Sequence, residues 1–458
     1  MQSLRQGVPG EWEKERVNDV LAQFVVSRET LESVMLKFNE DFTLGLSSEL
    51  TKRDQSPVKM LPTYVRSIPD GTEEGDYFAL DLGGTNFRVL LVSIKNNQIS
   101  MSHKTYPMGS AIMEGTAENL FGYIAQCLAE FGKEKLGEDL KKIAAVGFTF
   151  SFPVEQTSLT SGNLIKWTKG YNVAGVEGND IIKLLTDAIE RRKEIEVEQI
   201  ALLNDTTGVM MSCAFYDQAV AIGLILGTGT NACYMEDISS VKKWDGDLNE
   251  PKQVIVNTEW GAFGEKGELR CVATQFDDIV DQESLYPGQQ LYEKMISGMY
   301  LGEIVRQCLL HLIKMFVLFR GKVSSQLAVQ NSFLTMYVSD FCSGEVKNIH
   351  EILKLLGYEQ ATLFECQVIQ DVCNVVSLRA ARLAAAGLTT IVRRLDKNSL
   401  TVAVDGSLFK KHPTFKRFMY EALDELLPTT QVKLRLAEDG SGQGAALVAA
   451  VANRLSKK

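Results

Sequence analysis

At 458 residues, 45% of them hydrophobic and 23% charged, the chain is too long for one ordinary core and reads as a soluble globular protein of two or more domains. A formal net charge of −10 argues against nucleic acid or an anionic membrane as a general partner, so an anionic ligand has to be held by local backbone amides. Eight scattered cysteines without a CxxC pair point to reduced, mostly buried thiols, and four isolated histidines argue against a His-based metal site.

The opening MQSLRQGVPGEWEKERVNDV has neither a signal-peptide apolar core nor transit-peptide character. CLLHLIKMFVLF (308–319) is too short and too interrupted to span a bilayer, so a cytosolic chain without integral membrane contact is expected. Residues 11–50 repeat apolar positions at three- and four-residue spacing and predict helix. A proline-rich connector (56–76) leads to two strands between 77 and about 100, joined at Gly83-Gly84. An amphipathic helix (113–135), a buried strand (142–153), a second helix (179–195) and a buried strand (199–205) follow.

The second half repeats the idiom. Residues 218–236 are two apolar runs around a glycine turn, and 253–259 is a strand ending in an acid. A helix-rich stretch runs to about 395, its last part (377–395) built of small residues. A strand (399–409) and a glycine turn entering a final helix (440–455) close the pattern. LGGTN (82–86) and LGTGTN (226–231) form a faint internal repeat, which predicts two α/β domains of related plan with a cleft between them.

Four acids stand where an apolar strand stops: Asp81, Asp205, Glu259 and Asp405. Ligands of open α/β sheets gather at the carboxyl ends of strands, although a single such acid commonly serves as a helix cap or turn former. The two glycine-threonine turns offer several backbone N–H groups and hydroxyls with no bulk, a way to cradle phosphate without a lysine-bearing P-loop. Hairpins use glycine turns too, but have no need of the acid, hydroxyl and amide crowded around this bend. Neither the Walker nor the Rossmann glycine motif is present.

LDLGGTNFRV (80–89), GFTFSFP (147–153), LIKWTKGY (164–171), LLNDTTG (202–208), LGTGTNACY (226–234), NTEWGAFGEKGEL (257–269), PGQQLYEKMISGMYLGE (287–303) and VDGSLFKKHP (404–413) occur in one order. This order resembles the eukaryotic hexokinase and glucokinase family over residues 55–450 or so, as a single module of about half the length of the family's tandem members. The resemblance implies a two-lobed actin-like ATPase (ribonuclease H-like) fold. Residues 1–65 and 204–442 would form the large domain, and 66–203 and 443–458 the small one. It also implies an ATP-dependent hexokinase using Mg²⁺, with glucose or another hexose as partner, working as a monomer.

By the same resemblance, Asp81, Leu82, Gly83, Gly84, Thr85, Asn86 and Arg88 would serve the first phosphate loop, Asp81 meeting Mg²⁺ through water. Gly227, Thr228 and Gly229 would form the second phosphate loop, and Gly298, Thr335, Ser339, Gly406 and Ser407 would complete the nucleotide site. Ser151, Phe152, Pro153, Thr168, Lys169, Asn204, Asp205, Asn231, Glu259, Gln290 and Glu293 would hold the sugar. Asp205 would be the catalytic base, with Lys169, and Arg88 as a further candidate, meeting charge on the transferring group. Carboxylates and amides suit a ring of hydroxyls, and an analogue lacking the matching hydroxyl is rejected. Two rival readings are a sugar sensor without turnover and an actin- or chaperone-like ATPase. The base and both loops count against the first, the sugar-facing set against the second.

Overall fold

The structure is a computed structural model that describes residues 10–83, 86–167, 171–249, 251–437 and 439–456, and only the backbone of Asn86. Its framework is one sheet plan used twice. In the first sheet, Gly75–Leu82, Asn86–Lys95 and Gln98–Pro107 form an antiparallel meander, and Val146–Phe150 and then Ile200–Leu203 add in parallel beside Gly75–Leu82. In the second, Val220–Leu226, Thr230–Asp237 and Gln253–Asn257 form the meander, with Ser399–Asp405 and Gln431–Leu436 parallel beside Val220–Leu226. Leu61–Pro62 extends the second sheet at its outer edge. The faint sequence repeat is therefore a repeat of topology, and the α/β actin-like plan implied by the resemblance is the one observed.

Three cores result. One lies between the six-stranded sheet and the helices of that lobe, including Arg28–Gly45 and the 33-residue helix Leu363–Leu395. A second joins the five-stranded sheet to the helices Ala117–Leu136 and Ile181–Arg192. The third lies between the two sheets, where the helices Asp205–Ala214 and Gly440–Ser456 bury Met210, Met211, Ala445 and Leu447 against residues of both. Leu363–Leu395 is the one helix among the described residues long and apolar enough to cross a membrane, and 83% of its 18-residue apolar window is buried inside the fold.

Several elements depart from the expected pattern. The helical run 11–50 is broken at residues 23–27, where Ser27 accepts from the Thr30 N–H and caps a new helix. The strand Gln98–Pro107 has no counterpart in the expected pattern. It is an edge strand of mostly exposed polar residues, turned by Asn96 and Asn97, both in the left-handed region at φ 50° and 60°. Gln431–Leu436 and the hairpin of Val154–Ser158 with Ser161–Leu164 also escaped the sequence pattern. The strand expected over 399–409 stops at Asp405, and Ser407–Lys411 is helix. Five of the eight cysteines are buried, as expected, but Cys271 is exposed.

The glycines expected to form a turn near 440 lie inside the final helix. A Cβ on Gly444 would stand 2.0 Å from the carbonyl oxygen of Gly208, and one on Gly147 1.9 Å from that of Ala445. The helix thus packs backbone against backbone on its neighbours, a spacing only glycine permits. Gly444→Ala is therefore expected to destabilise the protein by about 1–3 kcal/mol through overpacking. Gly122→Ala, in a helix with nothing within 4 Å of the new methyl, should instead be neutral or stabilising by up to about 1 kcal/mol. Denaturant midpoints of the two variants check the contrast.

Candidate active site

Glu259 follows the strand Gln253–Asn257 and takes up a left-handed backbone at φ 52°, an uncommon choice for a residue with a side chain. Its Oε1 accepts from Asn257 Nδ2 at 2.7 Å and Asn231 Nδ2 at 3.1 Å, while its own N–H donates to Asn231 Oδ1 at 3.1 Å. Asn231 Nδ2 also donates to Asn257 Oδ1 at 2.7 Å, so two amides and one carboxylate form a closed network. Beneath it, fully buried Trp260 donates its ring N–H to Thr230 Oγ1 and packs against Phe38 and Tyr292. The bend at Glu259 is thus fixed by the core.

Burial holds the Glu259 carboxyl above the ordinary carboxylate range, against the hydrogen bond from Asn257, and the charges of Asp205 and Glu293 push it further the same way. Those electrostatic partners come from other elements. Asp205 opens the helix Asp205–Ala214, where Asn204 caps the first turn by accepting from the Thr206 N–H, and the helix N-terminus favours negative charge. Glu293 sits on the short helix Leu291–Ile296, and its Oε2 accepts from the Thr230 N–H at 2.9 Å. Gln290, before that helix, is left-handed at φ 54° and lies over Gly261. Three of the predicted acids, Asp205, Glu259 and Glu293, are brought into one field.

Across the gap, Ser151 donates its backbone N–H to the Leu82 carbonyl, and Phe152 is buried in a cluster with Trp167 and Tyr171. Pro153 is exposed, and its carbonyl accepts from Ile165. Phe152, Asn204, Asn257 and Glu259 line one small cavity between the lobes. A larger cavity, of about 220 Å³, lies behind Leu291–Ile296, where Glu265, Asp277, Asp281 and Lys294 already have protein partners. Thr168 and Lys169 lie outside the described residues.

The second glycine turn is tied to two other predicted positions. The Gly298 N–H donates to the Gly227 carbonyl at 2.8 Å, and the Met299 N–H to that of Thr228 at 3.1 Å. Gly406, at φ 117°, abuts Gly227 so closely that a Cβ would meet the Leu226 carbonyl oxygen at 2.2 Å. Thr335 Oγ1 donates to the Gly298 carbonyl at 2.5 Å, and Ser339 lies one turn along the same helix. Gly229 sits under Glu293, linking this cluster to the acids, and Ser407 is exposed beside Gly406. Asp405 does what an ordinary strand-end acid does: it accepts from the Gly406 N–H at 2.6 Å and pairs with Lys410 at 2.7 Å.

In the first turn, Gly84 and Thr85 lie outside the described residues; Leu82 is buried and Gly83 approaches Ser151. Asp81 and Arg88 are directly opposed across the hairpin and pair at 2.6 Å. Arg88 also pairs with Asp439 at 2.8 Å, and Ser441 Oγ donates to Asp81 Oδ2 at 2.9 Å. Arg88 is thus held by two carboxylates. The bonds to Arg88 and Ser441 all fall on Oδ2 of Asp81. Among the described residues no cluster of three or more His, Cys, Asp or Glu could cage a metal. One carboxylate beside a glycine turn fits Mg²⁺ that keeps its water shell and is held chiefly by phosphate.

Sequence reasoning missed Asn257, Asp439 and Ser441. Asn257 could have been found, since a residue two before a strand-end acid shares its face. Asp439 and Ser441, which join Asp81 around Arg88, are some 350 residues away from it, with no local signal.

Known proteins similar to this chain share one family name. Family models described as Hexokinase match residues 16–215 and 221–451. Hexokinase-1 of Rattus norvegicus is 44% identical over 451 residues, covering 96% of this chain and 48% of that protein. Hexokinase-2 of Homo sapiens is 45% identical over 447 residues, covering 95% and 48%. The chain spans about half the length of these curated relatives. A solved hexokinase from Schistosoma mansoni, complexed with glucose, superposes with a TM-score of 0.86 at 42% identity, covering 96% of this chain and 99% of that one. Matched along both halves of its length, the chain belongs to the hexokinase family.

Proposed function

We propose that the chain is an ATP-dependent hexokinase, transferring the γ-phosphoryl group of ATP to the 6-hydroxyl of glucose and related hexoses as the first step of glycolysis in the cytosol. The observation that carries this reading is the amide-clamped carboxylate of Glu259 in the same field as Asp205 and Glu293. Such a set can accept from and donate to adjacent ring hydroxyls at fixed spacing, with Ser151, Phe152, Pro153, Asn204, Asn231 and Gln290 around it and Thr168 and Lys169 completing it. The glucose held by the solved Schistosoma mansoni hexokinase supports the same substrate class.

In this reading Asp205 removes the proton of the 6-hydroxyl as its oxygen attacks the γ-phosphorus in line and the bond to ADP breaks. A base contributes roughly 10²–10⁴-fold, while positioning and charge stabilisation supply the larger share. Gly227, Thr228, Gly229, Gly298, Thr335, Ser339, Gly406 and Ser407 form the nucleotide side, with Leu82, Gly83, Gly84, Thr85 and Asn86 at the first turn. Asp81 would hold hydrated Mg²⁺, which when bound neutralises phosphate charge. Arg88 is already held by Asp81 and Asp439, so its part is to brace Asp81, and Lys169 is left to meet the transferring group. The lobes 1–65 with 204–442, and 66–203 with 443–458, would close over the sugar in a monomer. Closure excludes water, itself an acceptor that would waste ATP.

A coupled assay of ADP release with Mg·ATP and a panel of sugars tests the reading. Glucose-dependent turnover should fall about 10²–10⁴-fold in Asp205→Ala, with glucose affinity roughly retained. Turnover indifferent to sugar would contradict it. Glu259 gives a second expectation. Its carboxyl holds its proton more tightly in the folded chain, so its contribution to stability falls as pH rises from the unfolded value of about 4.5 through the raised folded value. Glu259→Gln should therefore unfold at the same or a higher temperature than wild type at neutral pH, yet lose most of its glucose affinity; calorimetry with and without glucose checks both signs.

A further inference from the structure

Lys166 and Tyr286 face each other across the gap between the lobes. Lys166 follows the strand Ser161–Leu164, in the half of the chain that carries the five-stranded sheet. Tyr286 lies between the helices Gln275–Gln282 and Leu291–Ile296 of the other lobe. The Lys166 ammonium stands 5.2 Å from the centre of the Tyr286 ring, within cation–π range. Each has an exposed apolar neighbour, Ile165 at 55% and Leu285 at 86%, so both lips carry apolar surface that the fold of their own lobe leaves uncovered.

Each lip is wired to one half of the sugar site. Next to Lys166, Trp167 donates its backbone N–H to Glu177 Oε1 at 2.8 Å and its ring N–H to the Val173 carbonyl at 3.1 Å. Its ring packs edge-on to Phe152 at 4.8 Å, and Phe152 adjoins Ser151. On the other side, the Tyr286 carbonyl accepts from Lys294 Nζ at 2.8 Å. Lys294 is buried, pairs with Asp281 at 2.6 Å, and follows Glu293 on the same short helix. Each lip is thus joined by packing or hydrogen bonds to an element that carries residues proposed to hold the hexose.

We propose that Lys166 and Tyr286 are positioning residues that latch the lobes together across the cleft, holding the Ser151–Phe152 side against the Glu293 side when the hexose is bound. This rests on the hexokinase reading and its lobe closure. A contact between the lobes that is lost when they part raises apparent sugar affinity by the factor with which it favours closure. An exposed cation–π pair is worth about two- to five-fold in an equilibrium.

The test is a double-mutant cycle on glucose dissociation constants, read by intrinsic fluorescence of the full chain without nucleotide. Lys166→Met and Tyr286→Leu should each weaken glucose binding about two- to five-fold, and the double variant no more than either alone. Lys166→Arg and Tyr286→Phe keep a cation and a ring and should bind as wild type. In turnover the loss should fall on the glucose KM rather than on kcat, with thermal unfolding unmoved. Additive single effects, no effect of the truncations, or Tyr286→Phe behaving like Tyr286→Leu would each overturn the latch while leaving the hexokinase reading intact. Wild-type protein that binds no glucose would overturn both.

Discussion

The candidate site depends on one costly arrangement, a carboxylate that the fold half-buries on a left-handed backbone with two amides as its donors. Glu259 is raised in pKa by that burial, and Asp205 and Glu293 add like charge instead of relieving it. A non-glycine residue in the left-handed region costs of order 1–3 kcal/mol, and a second one, Gln290, stands beside it. Such strain persists only where the surroundings over-determine it. Here they do: Trp260, Phe38, Phe263 and Tyr292 form a buried aromatic block directly beneath the bend.

The rest of the architecture brings that block to a partner surface. Both sheets end near the cleft, and the two helices between them are packed by backbone contact through Gly147, Gly208 and Gly444. Side chains there would separate the sheets and with them the two halves of the site. Arg88 adds an electrostatic tie, joining Asp81 of the first sheet to Asp439, just beyond the last strand of the second. With side chains only partly exposed, such pairs are screened less than surface pairs. Asp81 and Arg88, which could look like phosphate ligands in isolation, thus also tie together the two strands that flank the first glycine turn.

How much of this was legible in the sequence varied with the range of the physics involved. Apolar runs ending in acids were plain, because a strand buried on both faces leaves a continuous hydrophobic signature. Which acids converge was not. Asp405 looks like Glu259 in sequence, yet it is occupied by Lys410 and Gly406, partners that a strand-end position does not reveal. The glycines at 440–444 misled because glycine signals a turn and a close backbone approach with the same letter. The edge strand Gln98–Pro107 was invisible because its residues are polar and mostly exposed. Roles in the sugar and nucleotide sites came from family resemblance, and the structure supplies the bonds among them.

The central claim is that the Glu259 network is the hexose-binding surface. The most direct measurement is calorimetric titration of glucose into the nucleotide-free protein beside Glu259→Ala. The account predicts one glucose bound per chain in the wild type, and loss of binding in a variant that remains folded. Absence of binding to the wild type, or binding that survives removal of the carboxylate, would contradict it.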